Sequence, residues 1–311
     1  MPPRLRAVTL ALVAGSLLAA CTGPTDDDPP ADPVPPATAP AHDETLTVDG
    51  RPFALAVPPG HDPAEAAPLL VVLHGYGDEA AEVDARLGLR DGAARRGVLY
   101  ALPEGTPDAS GRKFWDATDA CCGWDGPDVD DSSYLADVVR TVGDAYAVDP
   151  DRVAVVGHSN GGFMAYRLAC DHADLVRLVV SLAGAMPADA GACAPTRPVS
   201  AVQVHGTADP VVRYEGGRIR ADDYASAPAS AADWARLDGC DSEPDVSAGA
   251  LDLDVDIPGA ETSVSSFPGC SSASRVELWA VDGAGHSPTL GDEFSSAVLD
   301  AVVGTDGPAP R

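Results

Sequence analysis

A serine flanked by two glycines is the feature of this chain whose residue types and spacing point most directly to chemistry. The segment Gly157-His158-Ser159-Asn160-Gly161 has the pattern G-x-S-x-G, and it lies between an apolar, β-branched run and a helical pattern. In a strand–turn–helix context this pattern predicts a nucleophile elbow, a sharp turn that presents the serine hydroxyl above the end of a sheet. Ser159 is therefore the candidate nucleophile for acyl transfer.

A serine hydroxyl is a weak nucleophile at neutral pH, so it requires a histidine base and an acid that orients this base. Where the serine occupies a nucleophile elbow, the acid and then the histidine follow it in the chain, each after a strand. Of the three histidines after Ser159, His286 follows the strand-like run 276–281 and a flexible turn, and it is the predicted base. His205 is predicted to be a packed core histidine, and His172 to mark a solvated helix end.

The predicted acid is Asp209, which follows the strand-like run 199–204 and precedes a proline that fixes the turn. The chain has 48 acidic residues, so the position of Asp209 and not its residue type carries this prediction. Asp222 and Asp223 lie further along in a polar stretch and are predicted to be surface charges.

The oxyanion hole is predicted after the first central strand. The apolar run 69–73 favours a strand buried on both faces of a parallel sheet, and it leads into His74-Gly75-Tyr76-Gly77. The backbone N–H groups of Tyr76 and Asn160 are predicted to face the developing oxyanion. Each such donor commonly stabilises the transition state by ~3 kcal/mol. The alternative is that the two glycines only form a loop.

The elements that must position these residues alternate between strand and helix. Asp49-Gly50 between two short strands predicts an opening antiparallel hairpin. The alternation predicts the α/β class, with a mostly parallel central sheet and helices on both faces. Together with the nucleophile elbow, it favours an α/β-hydrolase fold. Strands are predicted near residues 51–57, 69–74, 98–102, 153–156, 176–182, 199–205 and 276–281, and helices near residues 80–96, 132–147, 161–172, 229–237 and 292–303.

The N-terminus has the composition of an export signal. Two arginines precede an apolar run, residues 7–20, that is too short to span a bilayer as a stable helix. The run ends in Leu18-Ala-Ala-Cys21, which resembles a bacterial lipobox and implies lipidation of Cys21 with cleavage before it. The alternative is an ordinary signal peptide cut nearby. The protein is expected either at the outer face of the bacterial cell membrane or in the extracellular space. The lipid anchor is its only expected contact with the membrane.

The chain is accordingly divided into three predicted parts. Residues 1–20 are the lipoprotein signal peptide, and residues 21–43 form a disordered linker rich in proline, alanine and aspartate. Residues 44–311 form the catalytic domain. The net charge of −28 argues against a nucleic-acid partner, which would require a basic surface.

Seven cysteines are present, and six remain without Cys21. An even number in an exported chain predicts three disulfides, whereas the spacing does not favour zinc, and neither a metal nor a cofactor is expected. We expect Cys240 to bond to Cys270. A bridge between the neighbours Cys121 and Cys122 would close a strained eight-membered ring, so these two are predicted to bond outward, to Cys170 and Cys193 in an order left open.

The chain resembles the secreted poly(3-hydroxybutyrate) depolymerase and feruloyl esterase family of α/β-hydrolases, in its bacterial lipoprotein branch. The segments that carry this resemblance are residues 73–77, 103–107, 114–124, 129–131, 157–170, 205–212 and 283–286. The resemblance implies carboxylic ester hydrolysis outside the cell, with Ser159, Asp209 and His286 as the catalytic triad. The loop containing Trp115 and Trp124 is expected to line the substrate cleft.

Two positions depart from the family pattern. Pro288 stands where members often have a tryptophan, which removes an aromatic wall from the cleft, and Ser132-Ser-Tyr134 replaces V-G-[FY] after the paired aspartates. Aromatic residues make up only 5% of the chain, and a polymer depolymerase usually needs an adsorbing surface or module. The expected substrate is therefore a feruloyl-type, acetyl-type or short-chain acyl ester, small or attached to a polymer such as a sugar or lignin. Polyhydroxybutyrate depolymerase, serine peptidase and non-catalytic binding protein are the alternatives.

Overall fold

The computed structural model describes residues 41–124 and 126–304. The predicted signal peptide, Cys21 and nearly all of the predicted linker lie outside these residues. The first strand begins at His42, two residues before the predicted start of the catalytic domain. None of the helices in the described ranges is long and apolar enough to cross a membrane.

Fourteen strands occur in the described ranges. They are β1 His42–Val48, β2 Arg51–Val57, β3 Ala67–Leu73, β4 Leu99–Leu102, β5 Thr106–Pro107, β6 Lys113–Phe114, β7 Val148–His158, β8 Leu178–Leu182, β9 Ser200–Gly206, β10 Gly217–Ile219, β11 Asp222–Tyr224, β12 Asp245–Leu251, β13 Thr262–Phe267 and β14 Val276–Val281. The α-helices are α1 Ala80–Leu87, α2 Arg90–Arg95, α3 Asp131–Ala145, α4 Asn160–Asp171, α5 Ala227–Leu237 and α6 Asp292–Val303. Short 3-10 turns occupy Ala190–Ala192 and Ser271–Ala273.

Ten of these strands form one sheet in the order β1-β2-β4-β3-β7-β8-β9-β14-β13-β12. The six central strands, β4 to β14 in that order, run parallel, while antiparallel strands cover both edges. Because parallel strands end at the same edge, the loops after β3, β7, β9 and β14 converge there. The predicted α/β fold with a mostly parallel sheet is confirmed.

Helices cover both faces of the sheet, as predicted. One hydrophobic core lies under α3, α4 and α5, with Tyr134, Phe163 and Trp234 among its buried side chains. The other lies under α1, α2 and α6, and Phe294 is fully buried in it. The seven residues of β3 are all buried, which explains its unbroken apolar sequence, because each face of the strand contacts a helical layer.

Several stretches differ from the sequence prediction, among them the short strand pairs β5–β6 and β10–β11, which were not predicted. The single helix expected over residues 80–96 is divided into α1 and α2, because Gly88 adopts φ 61° and ends the first helix in a left-handed cap. Strands β12 and β13 were not predicted. Residues of β12 are mostly exposed and those of β13 are rich in serine, so neither presents the apolar pattern that identified the central strands.

The disulfide prediction is confirmed at one pair and wrong at the others. Cys240 bonds to Cys270, which joins the end of α5 to the segment that leads into β14. Cys170, at the end of α4, bonds to Cys193 with 5.0 Å between their Cα atoms, which is within the ordinary range. Neither of these two cysteines is therefore bonded to Cys121 or Cys122. Cys121 and Cys122 bond to each other and not outward.

Candidate active site

The turn between β7 and α4 holds Ser159 in a conformation that L-residues rarely adopt. Its backbone has φ 55° and ψ −117°, and its N–H donates to the carbonyl oxygen of Leu182 in β8 at 2.8 Å. Such backbone strain persists only where the surroundings enforce it, and it occurs often at active sites. The turn therefore fixes the serine at the carboxyl edge of the central strands.

The glycines around the serine are required by close backbone packing. A Cβ atom on Gly161 would overlap the carbonyl of Leu73 and would lie 2.8 Å from the carbonyl oxygen of His74. A Cβ atom on Gly157 would overlap the carbonyl of Gly161. The first turn of α4 thus lies directly against the end of β3, which brings the serine beside the predicted oxyanion loop.

The structure brings the three predicted catalytic side chains together. His286 Nε2 lies 2.9 Å from Ser159 Oγ, and His286 Nδ1 lies 2.7 Å from Asp209 Oδ2. The three residues come from the loops after β7, β9 and β14. The Asp209 carboxylate is fully buried, whereas 17% of the His286 side chain is exposed. This geometry allows His286 to accept the serine proton while Asp209 holds its other ring nitrogen protonated.

Asp209 is held ionised by its surroundings. Burial opposes the charge, but hydrogen bonds from His205 and His286 outweigh it and keep the pKa of the Asp209 carboxyl well below its usual range. The backbone N–H groups of Val211 and Val212 also donate to Oδ1, at 2.7 and 3.0 Å. The carboxylate therefore stays charged wherever His286 is able to act.

His205 is buried as predicted, but it also contacts the acid, which the sequence analysis did not foresee. Its Nδ1 accepts from Gln203 Nε2 at 3.1 Å, so its Nε2 carries the proton. That N–H donates to the carbonyl oxygen of Val212 at 2.7 Å and lies 3.3 Å from Asp209 Oδ2. The four-residue spacing between His205 and Asp209 was the available signal, and it was weak because the pair spans a strand end.

The predicted oxyanion donors both lie next to the serine. A Cβ atom on Gly75 would be 3.5 Å from Ser159 Cβ, so the loop containing Tyr76 adjoins the nucleophile. Asn160 is the first residue of α4, where a backbone N–H has no partner within the helix. The Asn160 side chain is held by Trp115: its Oδ1 accepts from the Trp115 N–H at 2.8 Å and its Nδ2 donates to the Trp115 carbonyl at 2.9 Å.

The two tryptophans predicted to line the cleft have different positions. Trp115 is fully buried and its Nε1 donates to the carbonyl oxygen of His74 at 3.0 Å, so the prediction that it lines the cleft is wrong. It supports the oxyanion loop from beneath instead. Trp124 is half-buried, and its ring meets that of Tyr76 edge-on at 5.9 Å. This aromatic pair is the structure's candidate for a cleft wall.

The fold and the site together define an α/β-hydrolase, because a nucleophile elbow stands at the centre of a parallel sheet with acid and base at later strand ends. The prolyl oligopeptidase family (Peptidase_S9) matches residues 90–220, less than half of the chain. The acetyl xylan esterase from Aspergillus awamori has a similar structure, with a TM-score of 0.57 at 14% identity over 85% of this chain and 99% of that one. This likeness shows the fold.

Sequence relatives are named as esterases. A protein of Nocardia uniformis subsp. tsuyamanensis named as an esterase, NocK, is 36% identical over 59% of this chain and 52% of its own length. Feruloyl esterase B of Piromyces equi is 26% identical over 76% of this chain and 42% of its own. The chain spans about half the length of these curated relatives. The predicted resemblance is confirmed to this extent: the chain has an α/β-hydrolase fold and is similar in sequence to proteins named as esterases and feruloyl esterases.

We expect opposite effects from alanine at two helical glycines. Gly161→Ala should lower the free energy of unfolding by ~1–3 kcal/mol and abolish turnover, because its methyl group overlaps β3. Gly143→Ala, at an exposed position of α3 with no atom within 4 Å of the new Cβ, should raise stability by ~0.5–1 kcal/mol. Urea unfolding of both variants measures this, and an unaffected Gly161→Ala would contradict the packing argument.

Removal of any member of the hydrogen-bonded chain should abolish turnover without unfolding the protein. Ser159→Ala and His286→Ala should reduce kcat to similar residual levels, and the double variant should be no worse, because the two side chains act as one unit. Asp209→Asn should also be severe, because an amide does not enforce the required imidazole tautomer. His172→Ala, at the end of α4, is the matched control. Normal turnover in any of the three single variants would remove that residue from the proposed triad.

Proposed function

We propose that this chain is a serine esterase that hydrolyses carboxylic esters through an acyl-enzyme intermediate. The observation that carries the proposal is the hydrogen-bonded chain from Ser159 Oγ through the His286 ring to Asp209 Oδ2, built on a strained elbow. The names of the sequence relatives support ester hydrolysis as the reaction.

Acylation begins when Ser159 Oγ attacks the ester carbonyl carbon as His286 Nε2 takes its proton. The imidazolium that forms is stabilised by the buried Asp209 carboxylate, 2.7 Å from Nδ1. The carbonyl oxygen becomes an oxyanion, and the backbone N–H groups of Tyr76 and Asn160 are the proposed donors to it. The intermediate collapses when His286 returns the proton to the leaving alcohol, which leaves the acyl group on the serine.

Deacylation repeats these steps with water as the nucleophile. His286 takes a proton from water, the water oxygen attacks the acyl carbon, and the proton returns to Ser159 as the acid product leaves. Every proton transfer occurs at His286 Nε2, so the ring must keep its orientation through both halves of the reaction.

We infer that the substrates are acetyl-type, feruloyl-type or short-chain acyl esters. The rings of Tyr76 and Trp124 would place an aromatic wall beside the oxyanion loop, where a planar acyl group could lie. Hydrogen bonds fix this wall: the Tyr76 hydroxyl donates to Asp108 Oδ2 at 2.7 Å, and Trp124 Nε1 donates to the carbonyl of Asp119 at 3.3 Å. A serine peptidase is the second candidate, favoured by the match to the prolyl oligopeptidase family.

A substrate panel tests the reaction and the acyl preference. We expect turnover of p-nitrophenyl acetate and butyrate, acetylated xylan and methyl ferulate, and little release of product from a p-nitroanilide peptide or a polyhydroxybutyrate suspension. Trp124→Ala should raise KM for methyl ferulate several-fold more than KM for p-nitrophenyl acetate, whereas Trp124→Phe should retain the preference. Faster cleavage of the anilide than of every ester would replace the esterase assignment with a peptidase.

We also propose that the protein is exported and held at the membrane surface by a lipid on Cys21. The three disulfides of the described residues favour an oxidising compartment. The lipobox-like sequence that ends at Cys21 supports lipidation of this residue.

Lipidation is tested by comparing the natural chain with Cys21→Ala in a bacterial host that processes lipoproteins. The natural chain should fractionate with membranes, and mass spectrometry should show a diacylated cysteine at its mature N-terminus. Cys21→Ala should yield an unlipidated protein with unchanged esterase turnover. A freely soluble natural chain with an unmodified N-terminus would exclude the anchor.

A further inference from the structure

A second histidine adjoins the catalytic pair and has no part in the proton transfers described above. His158, the last residue of β7, immediately precedes Ser159, is 3% exposed and has its ring 5.1 Å from the ring of His286. Its Nε2 lies 2.9 Å from the backbone carbonyl oxygen of His286 and 3.3 Å from Ser287 Oγ. A carbonyl oxygen only accepts, so Nε2 carries the ring proton and donates it to the backbone of the catalytic base.

The other ring nitrogen of His158 is held from the opposite side. Arg86 Nη1 in α1 donates to His158 Nδ1 at 3.2 Å and also to Asp78 Oδ2 at 2.6 Å. The backbone N–H of Asp78 in turn donates to the carbonyl oxygen of Gly75 at 3.2 Å, within the oxyanion loop. A continuous series of contacts thus joins the oxyanion loop to the loop of the catalytic histidine, and His158 is its central member.

We propose that His158 is a positioning residue that holds the backbone of His286 in register with Ser159 and the oxyanion loop, through its contacts to the His286 carbonyl and to Arg86. His158 and Ser159 are neighbours on one rigid strand end, so the same backbone that presents the nucleophile also anchors the base. The inference rests on the proposed function only in that His286 must activate Ser159.

The charge state of His158 fits this role and not that of a second base. Burial, together with the nearby charges of Arg86 and His286, lowers its pKa to about 4, against the opposing effects of the His286 carbonyl and Asp78. The ring therefore stays neutral at neutral pH, with one nitrogen donating and the other accepting. Its Nε2 is engaged with a backbone carbonyl and carries its proton there, so it is not available to Ser159.

The test measures phosphonylation of Ser159 by an alkyl fluorophosphonate, which does not require the natural substrate. Ser159 Oγ forms a bond to phosphorus, fluoride leaves, and the serine proton passes to His286, so the maximal rate kinact reports activation of the serine. His158→Leu removes both ring contacts and should lower kinact about 10- to 100-fold, since small displacements of a catalytic group carry such penalties. KI, the fluorophosphonate concentration that gives half of this maximal rate, should change less than about twofold, because the groups that bind the phosphonate remain in place.

Two further variants separate positioning from packing. His158→Gln keeps an amide N–H that reaches the His286 carbonyl, and it should retain kinact to within about threefold of the natural protein. Arg86→Met, on a partly exposed position of α1, should lower kinact several-fold without unfolding the domain, because His158 Nδ1 loses its donor. Val298→Ala, buried in α6 away from the site, controls for loss of stability and should leave kinact unchanged.

The outcomes distinguish this inference from the proposed function. No phosphonylation of the natural protein would contradict the serine esterase assignment itself. If His158→Leu is phosphonylated as fast as the natural protein, the positioning role of His158 is overturned and the serine esterase assignment is not affected. If His158→Leu does not fold, Arg86→Met and His158→Gln decide the matter: a normal rate in Arg86→Met, or a rate in His158→Gln lowered more than about 10-fold, also overturns it.

Discussion

The structure depends on one backbone constraint, the strained turn at Ser159. A residue with φ 55° and ψ −117° stays in that conformation only when packing permits no other. Here the restriction comes from three neighbouring strand ends: β3 lies against Gly161, β7 supplies the incoming chain, and the Leu182 carbonyl of β8 binds the serine N–H. The position of Ser159 is therefore a consequence of how α4 packs on the sheet. The loops that carry Asp209 and His286 must then be held in the correct position relative to this serine.

Buried histidines hold these loops in place, and three of them make the same kind of contact. His74 accepts from the Gly105 N–H and donates to the Gly75 carbonyl, next to the oxyanion loop. His158 bridges Arg86 and the His286 carbonyl, and His205 bridges Gln203 and the Val212 carbonyl beside Asp209. A neutral imidazole suits this purpose because it has one donor and one acceptor on opposite sides of a rigid ring. Each of these loops is thus held by a ring that takes no part in the proposed proton transfers.

The fold and the proximity of the three proposed catalytic side chains could be predicted from the sequence, because both depend on local patterns. An apolar strand, a G-x-S-x-G turn and a helix are contiguous, and Asp209 and His286 each follow a recognisable strand. The role of His158 was not predictable, because its partner is a backbone carbonyl 128 residues away. Trp115 was misplaced for a similar reason: its position relative to the cleft depends on contacts with His74 and Asn160, which a sequence pattern does not encode.

These ring assignments also bear on how the protein responds to acid. Burial lowers the pKa of both His74 and His158, the latter to about 4, so the folded protein binds fewer protons there than the unfolded chain does. The stability that His158 contributes is complete above the ordinary histidine pKa of ~6.5 and is lost as the pH falls from there through about 4. Asp209 responds at still lower pH, because its carboxyl is ionised throughout that window. Acid would therefore weaken the contact between His158 and the His286 carbonyl before it neutralises the Asp209 carboxylate.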